Sequence, residues 1–169
     1  MSEGDAAHAP GPDAAHAPVT LAVGDEALAV AGHLLHDFNT EYDDVTPGAP
    51  ALAVRLAELV AGGDTDVLLL EGETGAAGVG VLRYRPSLWT AANECYLAEL
   101  YVVPGVRGRG LGRVLLRACV DRARERGCDF IDLSTSEDDV GARHLYESEG
   151  FHATEGIGGP VTFHYEREL

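Results

Sequence analysis

A chain of 169 residues, 46% of them hydrophobic, is long enough to bury a core and is most simply one domain. Its formal charge of −16, from 28 acidic residues against 12 basic ones that are all arginine, argues against nucleic acid as a partner and draws cations instead. There is no apolar run of membrane-spanning length and no basic-then-apolar leader. Cys95, Cys119 and Cys128 form neither a metal-ligand spacing nor an even disulfide set, so the expectation is a cytoplasmic protein with no membrane partner.

Residues 5–10 and 13–18 are the same hexapeptide, Asp-Ala-Ala-His-Ala-Pro, which predicts a disordered tail over 1–18 and a single domain over 19–169. A first strand is expected at Val19–Val23. A helix follows from Asp25, with Leu28, Ala31, Leu35 and Phe38 as its apolar stripe. Next comes an acidic stretch, Asp37, Glu41, Asp43 and Asp44, with no compensating base. It reads either as an anionic lip, with Asp37 and Glu41, that draws a cation, or as a solvated helix end. His33 and His36 lie one turn apart, a spacing more often found on a helix surface than at a metal, and no metal is expected. A second helix over Ala51–Ala61 stops at Gly62-Gly63. Strands are expected at Asp66–Glu71, Gly78–Arg85 and Ala92–Val103.

The fourth of these strands runs into Arg107-Gly108-Arg109-Gly110-Leu111-Gly112, followed by an amphipathic helix with Leu111, Val114, Leu115, Ala118 and Cys119 on one face. A glycine turn opening a helix aims backbone N–H groups at one point, where the helix dipole adds positive potential, so its natural ligand is a phosphate or pyrophosphate. The spacing is not G-x-G-x-x-G, and the absence of lysine excludes the Walker pattern. A short strand Phe130–Ser134, a helix Val140–Glu149, and a closing hairpin of Phe151 with Val161–Arg167 complete an α+β order.

Arg107, Gly110 and Gly112 form R-x-x-G-x-G after a Val-Val-Pro strand end, and Ala142 to Phe151 read A-x-x-L-Y-x-x-x-G-F. Together these resemble the GCN5-related N-acetyltransferases (GNAT). The resemblance implies an acyl-CoA N-acyltransferase fold whose mixed sheet splays between strands 4 and 5. It implies acetyl-CoA as cosubstrate, its pyrophosphate held by Arg107, Gly108, Arg109, Gly110, Leu111 and Gly112. The pantetheine arm would lie along Leu100, Tyr101, Val102 and Val103, with a bulge near Val102–Val103 freeing one N–H to polarise the thioester carbonyl. Asp139 stands where the family often has an asparagine that touches the CoA arm, and Tyr146 matches the tyrosine beside the CoA sulfur.

The implied chemistry is direct attack of an amine on the thioester in a ternary complex. A lysine-like amine, with a pKa near ~10.4, must first lose a proton. Glu99, mid-strand, is the first candidate for base or substrate contact; Glu94 and Asp37 are weaker. Tyr146 would hydrogen-bond the departing sulfur. The acceptor expected is a small cationic amine. A protein amine and a catalytically silent acyl-CoA-binding module are the alternatives, and a homodimer is possible.

Overall fold

The computed structural model describes residues 17–169, so most of the expected tail lies outside the described residues. Pro18, assigned to that tail, is held: its carbonyl accepts a hydrogen bond from the Glu71 amide at 2.9 Å. The elements are β1 (Val19–Leu21), α1 (Asp25–Glu41), α2 (Ala49–Ala61), β2 (Thr65–Gly72), β3 (Gly75–Pro86), β4 (Asn93–Val102), α3 (Leu111–Glu125), β5 (Cys128–Asp132) and α4 (Val140–Ser148). The helix α1 runs through the acidic stretch as far as Glu41, which places Asp37 and Glu41 on successive turns. The fifth strand begins two residues earlier than expected, at Cys128, and ends before Leu133.

The five strands form one sheet in the order β1-β2-β3-β4-β5, antiparallel except for the parallel β4–β5 pair. Pairing between β4 and β5 stops at Tyr96↔Asp132, although β4 continues to Val102. The sheet therefore splays open, and the last six residues of β4 have no strand on that side among the described residues. The β3–β4 register skips Ala98: Val81 pairs with Glu99 and Leu82 with Leu97. This corrects the expected bulge at Val102–Val103. Gly78 pairs in register with Val102 and the Val103 amide donates to the Ala77 carbonyl at 2.9 Å, so the strand end is regular.

Side-chain alternation sorts the core into two layers. Val67, Leu69, Val79, Val81 and Tyr101 face α1 and α2, whereas Leu68, Leu70, Leu82, Cys95 and Leu97 face α3 with Leu115, Leu116 and Cys119. The helices α1 and α2 cross closely because of Gly32. A Cβ there would sit 2.7 Å from the Ala49 carbonyl oxygen and 2.9 Å from the Ala53 amide nitrogen, both rigid backbone.

The expected closing hairpin is not a pair of strands. An isolated bridge, Thr154↔Val161, forms its neck, and residues 162–169 belong to no strand. No helix among the described residues is long and apolar enough to cross a membrane.

Candidate active site

The turn between β4 and α3 has the conformation its glycines imply. Gly108 and Gly110 adopt φ of +77° and +83°, where a Cβ is strained, and Gly110 is the left-handed N-cap of α3. The Gly110 carbonyl accepts from the Arg113 and Val114 amides at 3.1 and 3.2 Å, which starts the helix. The amides of Gly108, Arg109, Gly110, Leu111 and Gly112 donate to no acceptor among the described residues. Five N–H groups without an acceptor among the described residues thus lie in sequence at the positive end of a fifteen-residue helix, a set suited to a multiply charged anion.

Arg107 serves the turn in a way the sequence did not disclose. Its Nε donates to the Val102 carbonyl at 2.7 Å, and its two terminal nitrogens donate to both oxygens of Glu41 at 2.6 and 2.8 Å. Its guanidinium also stacks 5.4 Å from the centre of the Tyr101 ring. The side chain is thus spent on bracing the turn against β4 and α1. Glu41 is correspondingly no free anionic lip: hydrogen bonding to Arg107 holds its carboxyl below the usual range. Asp37 remains exposed and without an ion pair among the described residues, close enough to help raise the pKa of Tyr101. Arg109 is exposed and likewise unpaired among them.

Of the two amides expected to polarise a carbonyl, Val103 is committed to Ala77, which leaves Val102. The Val102 carbonyl meets Arg107 rather than β3, and in an extended strand a residue's N–H and C=O point to the same side. The Val102 amide therefore faces the open edge beyond the splay, as does that of Leu100 two residues earlier.

Glu99 pairs in register with Val81 and shares the α1-side face with Tyr101. It is half-buried, makes no hydrogen bond among the described residues, and its pKa is raised by burial. Tyr146 on α4 is half-buried against Phe151, with ring centres 6.0 Å apart. Burial, then Asp139 and Cys119, push its hydroxyl up to about 12. The helix α4 is set against α3 at two points. Glu149 bridges Arg113 and Arg117 of α3 at 3.2 and 2.7 Å, and a Cβ on Gly112 would lie 3.4 Å from Leu145 Cδ2. Asp139 caps α4, its Oδ1 accepting from the Ala142 amide at 3.0 Å. Burial pushes the Cys95 and Cys119 thiols up to about 12, which keeps them protonated and unreactive. His36 Nδ1 lies 3.1 Å from Thr46 Oγ1, so that imidazole serves the α1–α2 connection.

A polar row crosses the sheet on the face of Glu99: Arg83 on β3 pairs in register with Tyr96 on β4, and Tyr96 with Asp132 on β5. Arg83 Nε and Asp132 Oδ1 are buried without a hydrogen-bond partner among the described residues. Burial raises the Asp132 pKa despite the nearby Arg85, and Tyr96 Oη lies 2.8 Å from Ser134 Oγ. The sequence signal for this row was faint: an arginine and an aspartate at positions whose parity points them at the α1 side of the sheet.

Residues 33–151 match the Acetyltransferase (GNAT) family. The chain belongs to that family. Among GNAT relatives, a mycothiol acetyltransferase of Beutenbergia cavernae is 39% identical over 79 residues, covering 42% of this chain and 27% of that protein. A thialysine N-epsilon-acetyltransferase of Sus scrofa is 32% identical over 85 residues, covering 45% of this chain and 49% of that one. The match thus spans about a quarter of the first of these proteins and about half of the second. A crystal structure of a putative acetyltransferase from Arthrobacter sp. FB24 superposes with a TM-score of 0.80 at 38% identity, over 98% of this chain and all of that one.

Proposed function

We propose that the protein moves an acetyl group from acetyl-CoA directly to a primary amine, with a small cationic amine as acceptor. The observation that carries this reading is the set of five unpaired amides at the start of α3, opening beside the unpartnered edge of β4. The amides of Gly108 to Gly112 would hold the pyrophosphate, and those of Leu100 and Val102 would take the pantetheine arm as a strand partner. When bound, acetyl-CoA supplies the activated acyl group. Val102 N–H then stabilises the charge that builds on the carbonyl oxygen.

Glu99 is assigned as the base that takes a proton from the acceptor ammonium, because burial without a partner raises its affinity for one. Tyr146 is assigned to hydrogen-bond the departing thiolate rather than protonate it. A hydroxyl at about 12 giving its proton to a thiolate whose thiol has a pKa near ~8.5 is uphill by roughly 5 kcal/mol. The acceptor would lie over the Arg83–Tyr96–Asp132 row with Asp37 beyond, where an ammonium finds carboxylates. The thialysine enzyme among the relatives supports a small amino compound.

The test is a thiol-release assay with acetyl-CoA against a panel of polyamines, diamino acids and aminoglycosides. Amine-dependent thiol release, with the acetylated amine identified by mass, is expected. Tight acetyl-CoA binding with no transfer to any amine or protein would instead identify a silent binding module.

A further inference from the structure

Arg83 is the one group of the polar row that a purely cationic acceptor does not explain. It stands two residues before Arg85 on β3, so both side chains leave the sheet on the α1 side, as Val81 does. Arg85 is exposed and complete: its Nε donates to Glu94 Oε2 at 2.8 Å. Arg83 is half-buried, forms no ion pair among the described residues, and its Nε is buried without an acceptor among them. Its in-register neighbours, Thr65 on β2 and Tyr96 on β4, bring it no charge, and the Thr65 hydroxyl donates to Asp64 at 3.0 Å. Glu94 is occupied by Arg85 and Ser87. A buried guanidinium without an anion is costly, which points to an anion that arrives with a ligand.

Two carboxylates on the same face are likewise unmatched. Asp132 lies across Tyr96 from Arg83 with its Oδ1 orphaned, and Glu99 is half-buried; neither forms an ion pair among the described residues. One guanidinium and two carboxylates are complemented by a molecule with one carboxylate and two ammonium groups. Glu99 pairs with Val81, one repeat of the pleat from Arg83 and about 7 Å along the sheet. The α-amine of an amino acid sits on the carbon that bears its carboxylate and does not reach across that interval. A terminal amine beyond roughly three or four methylene groups does.

We infer that the acceptor is an α,ω-diamino carboxylic acid, its carboxylate on Arg83, its α-ammonium on Asp132, and its distal amine, the one acetylated, at Glu99. This rests on the acetyltransferase reading above and narrows its acceptor. The distal ammonium gives one proton to Glu99, and its nitrogen bonds the acyl carbon as the C–S bond breaks. The departing thiolate is balanced by a second proton released from that nitrogen to water. Arg83 is then the residue that selects: its planar fork matches a carboxylate, while its charge repels a polyamine or an amino sugar, which has nothing to offer it. A diamino acid remains net cationic, so the field of a chain with charge −16 still draws it in.

The test measures thiol release from acetyl-CoA with lysine and ornithine, each against its decarboxylated diamine, cadaverine or putrescine. Lysine amide, which keeps the size and loses the carboxylate charge, is the further control. For the better amino acid, kcat/KM is expected to exceed that of its diamine by about tenfold or more, with the acetyl group on the distal nitrogen by fragment mass. Arg83→Gln is expected to raise KM for the amino acid and lower it for the diamine, whereas a merely structural arginine would shift both the same way. The wild-type comparison decides even where the variant does not fold. A diamine or the amide used as well as the amino acid, acetylation at the α-nitrogen, or parallel KM shifts in Arg83→Gln would each overturn the proposal. So would release with an aminoglycoside and with none of these acceptors, which leaves the acetyltransferase reading intact. No release with any amine would overturn both.

Discussion

Arg107 and Glu41, 66 residues apart in sequence, are joined by two hydrogen bonds of 2.6 and 2.8 Å, which tie the glycine turn to the end of α1. The pair is partly exposed, so its contribution is that of a well-aligned surface bridge, about 0.2–1 kcal/mol. Glu41→Gln should cost about that much at neutral pH. Because Arg107 lowers the folded-state pKa of Glu41 from 4.5, this stability is complete above 4.5 and is lost as pH falls through the lowered value. Urea titrations of both proteins should therefore differ at pH 7 and converge in strong acid. A difference that persists there would assign the loss to packing of the Arg107 stem.

Gly110→Val should abolish acetyl-CoA binding, since a β-branched residue at φ +83° distorts the turn that gathers the amides. Gly112→Ala is the contrast: its Cβ meets Leu145 at an ordinary contact distance, so the fold is kept. Calorimetry should show at least a tenfold loss for the first variant, with far-UV circular dichroism unchanged for both. Unchanged affinity in Gly110→Val would remove the turn from the binding site.

Glu99→Gln is expected to lower kcat by about 10²–10⁴-fold, the usual contribution of a positioned base. It should also raise the melting temperature at neutral pH. Burial raises the folded pKa of Glu99, so ionising it costs stability as pH rises from its unfolded value through the folded one, and a neutral amide avoids that cost. In the wild type, kcat should climb with pH through the raised pKa of Glu99, and this limb should vanish in the variant. An identical pH profile would reassign proton removal to water.

Much of this site could be read in the sequence, for physical reasons specific to each part. The glycine turn was legible because positive φ at Gly108 and Gly110 demands glycine, and α4 was legible from the A-x-x-L-Y-x-x-x-G-F pattern of Ala142 to Phe151, although its Asp139 cap was not. The extension of α1 to Glu41 was not, because Asp37, Asn39 and Thr40 favour caps and turns and only tertiary packing keeps them helical. The bulge at Ala98 was hidden because Val81 and Leu82 select their partners across the sheet, a choice β4 does not encode alone. The strand expected at Val161–Arg167 does not form beyond the single bridge at Val161, because a period of two marks a strand without naming its partner.

Tyr146→Phe should lower kcat more than it raises the KM for acetyl-CoA, because its hydrogen bond strengthens only as negative charge reaches the sulfur. With the hydroxyl at about 12, no limb of the pH–rate profile below pH 10 should belong to it. Steady-state kinetics of both proteins between pH 6 and pH 10 check this, and equal kcat values would exclude the contact.

Asp132→Asn tests the polar row. It keeps the size of the side chain but removes the charge opposite a cationic acceptor, so KM for the amine should rise about tenfold or more while acetyl-CoA affinity holds. An unchanged amine KM would place the acceptor elsewhere.

The most direct measurement is the crystal structure of the full chain grown with coenzyme A. The pyrophosphate is expected within hydrogen-bonding distance of the Gly108–Gly112 amides, with the pantetheine running along the open edge of β4 past Val102. Coenzyme A bound anywhere else, or that turn closed by the protein's own side chains, would contradict the assignment.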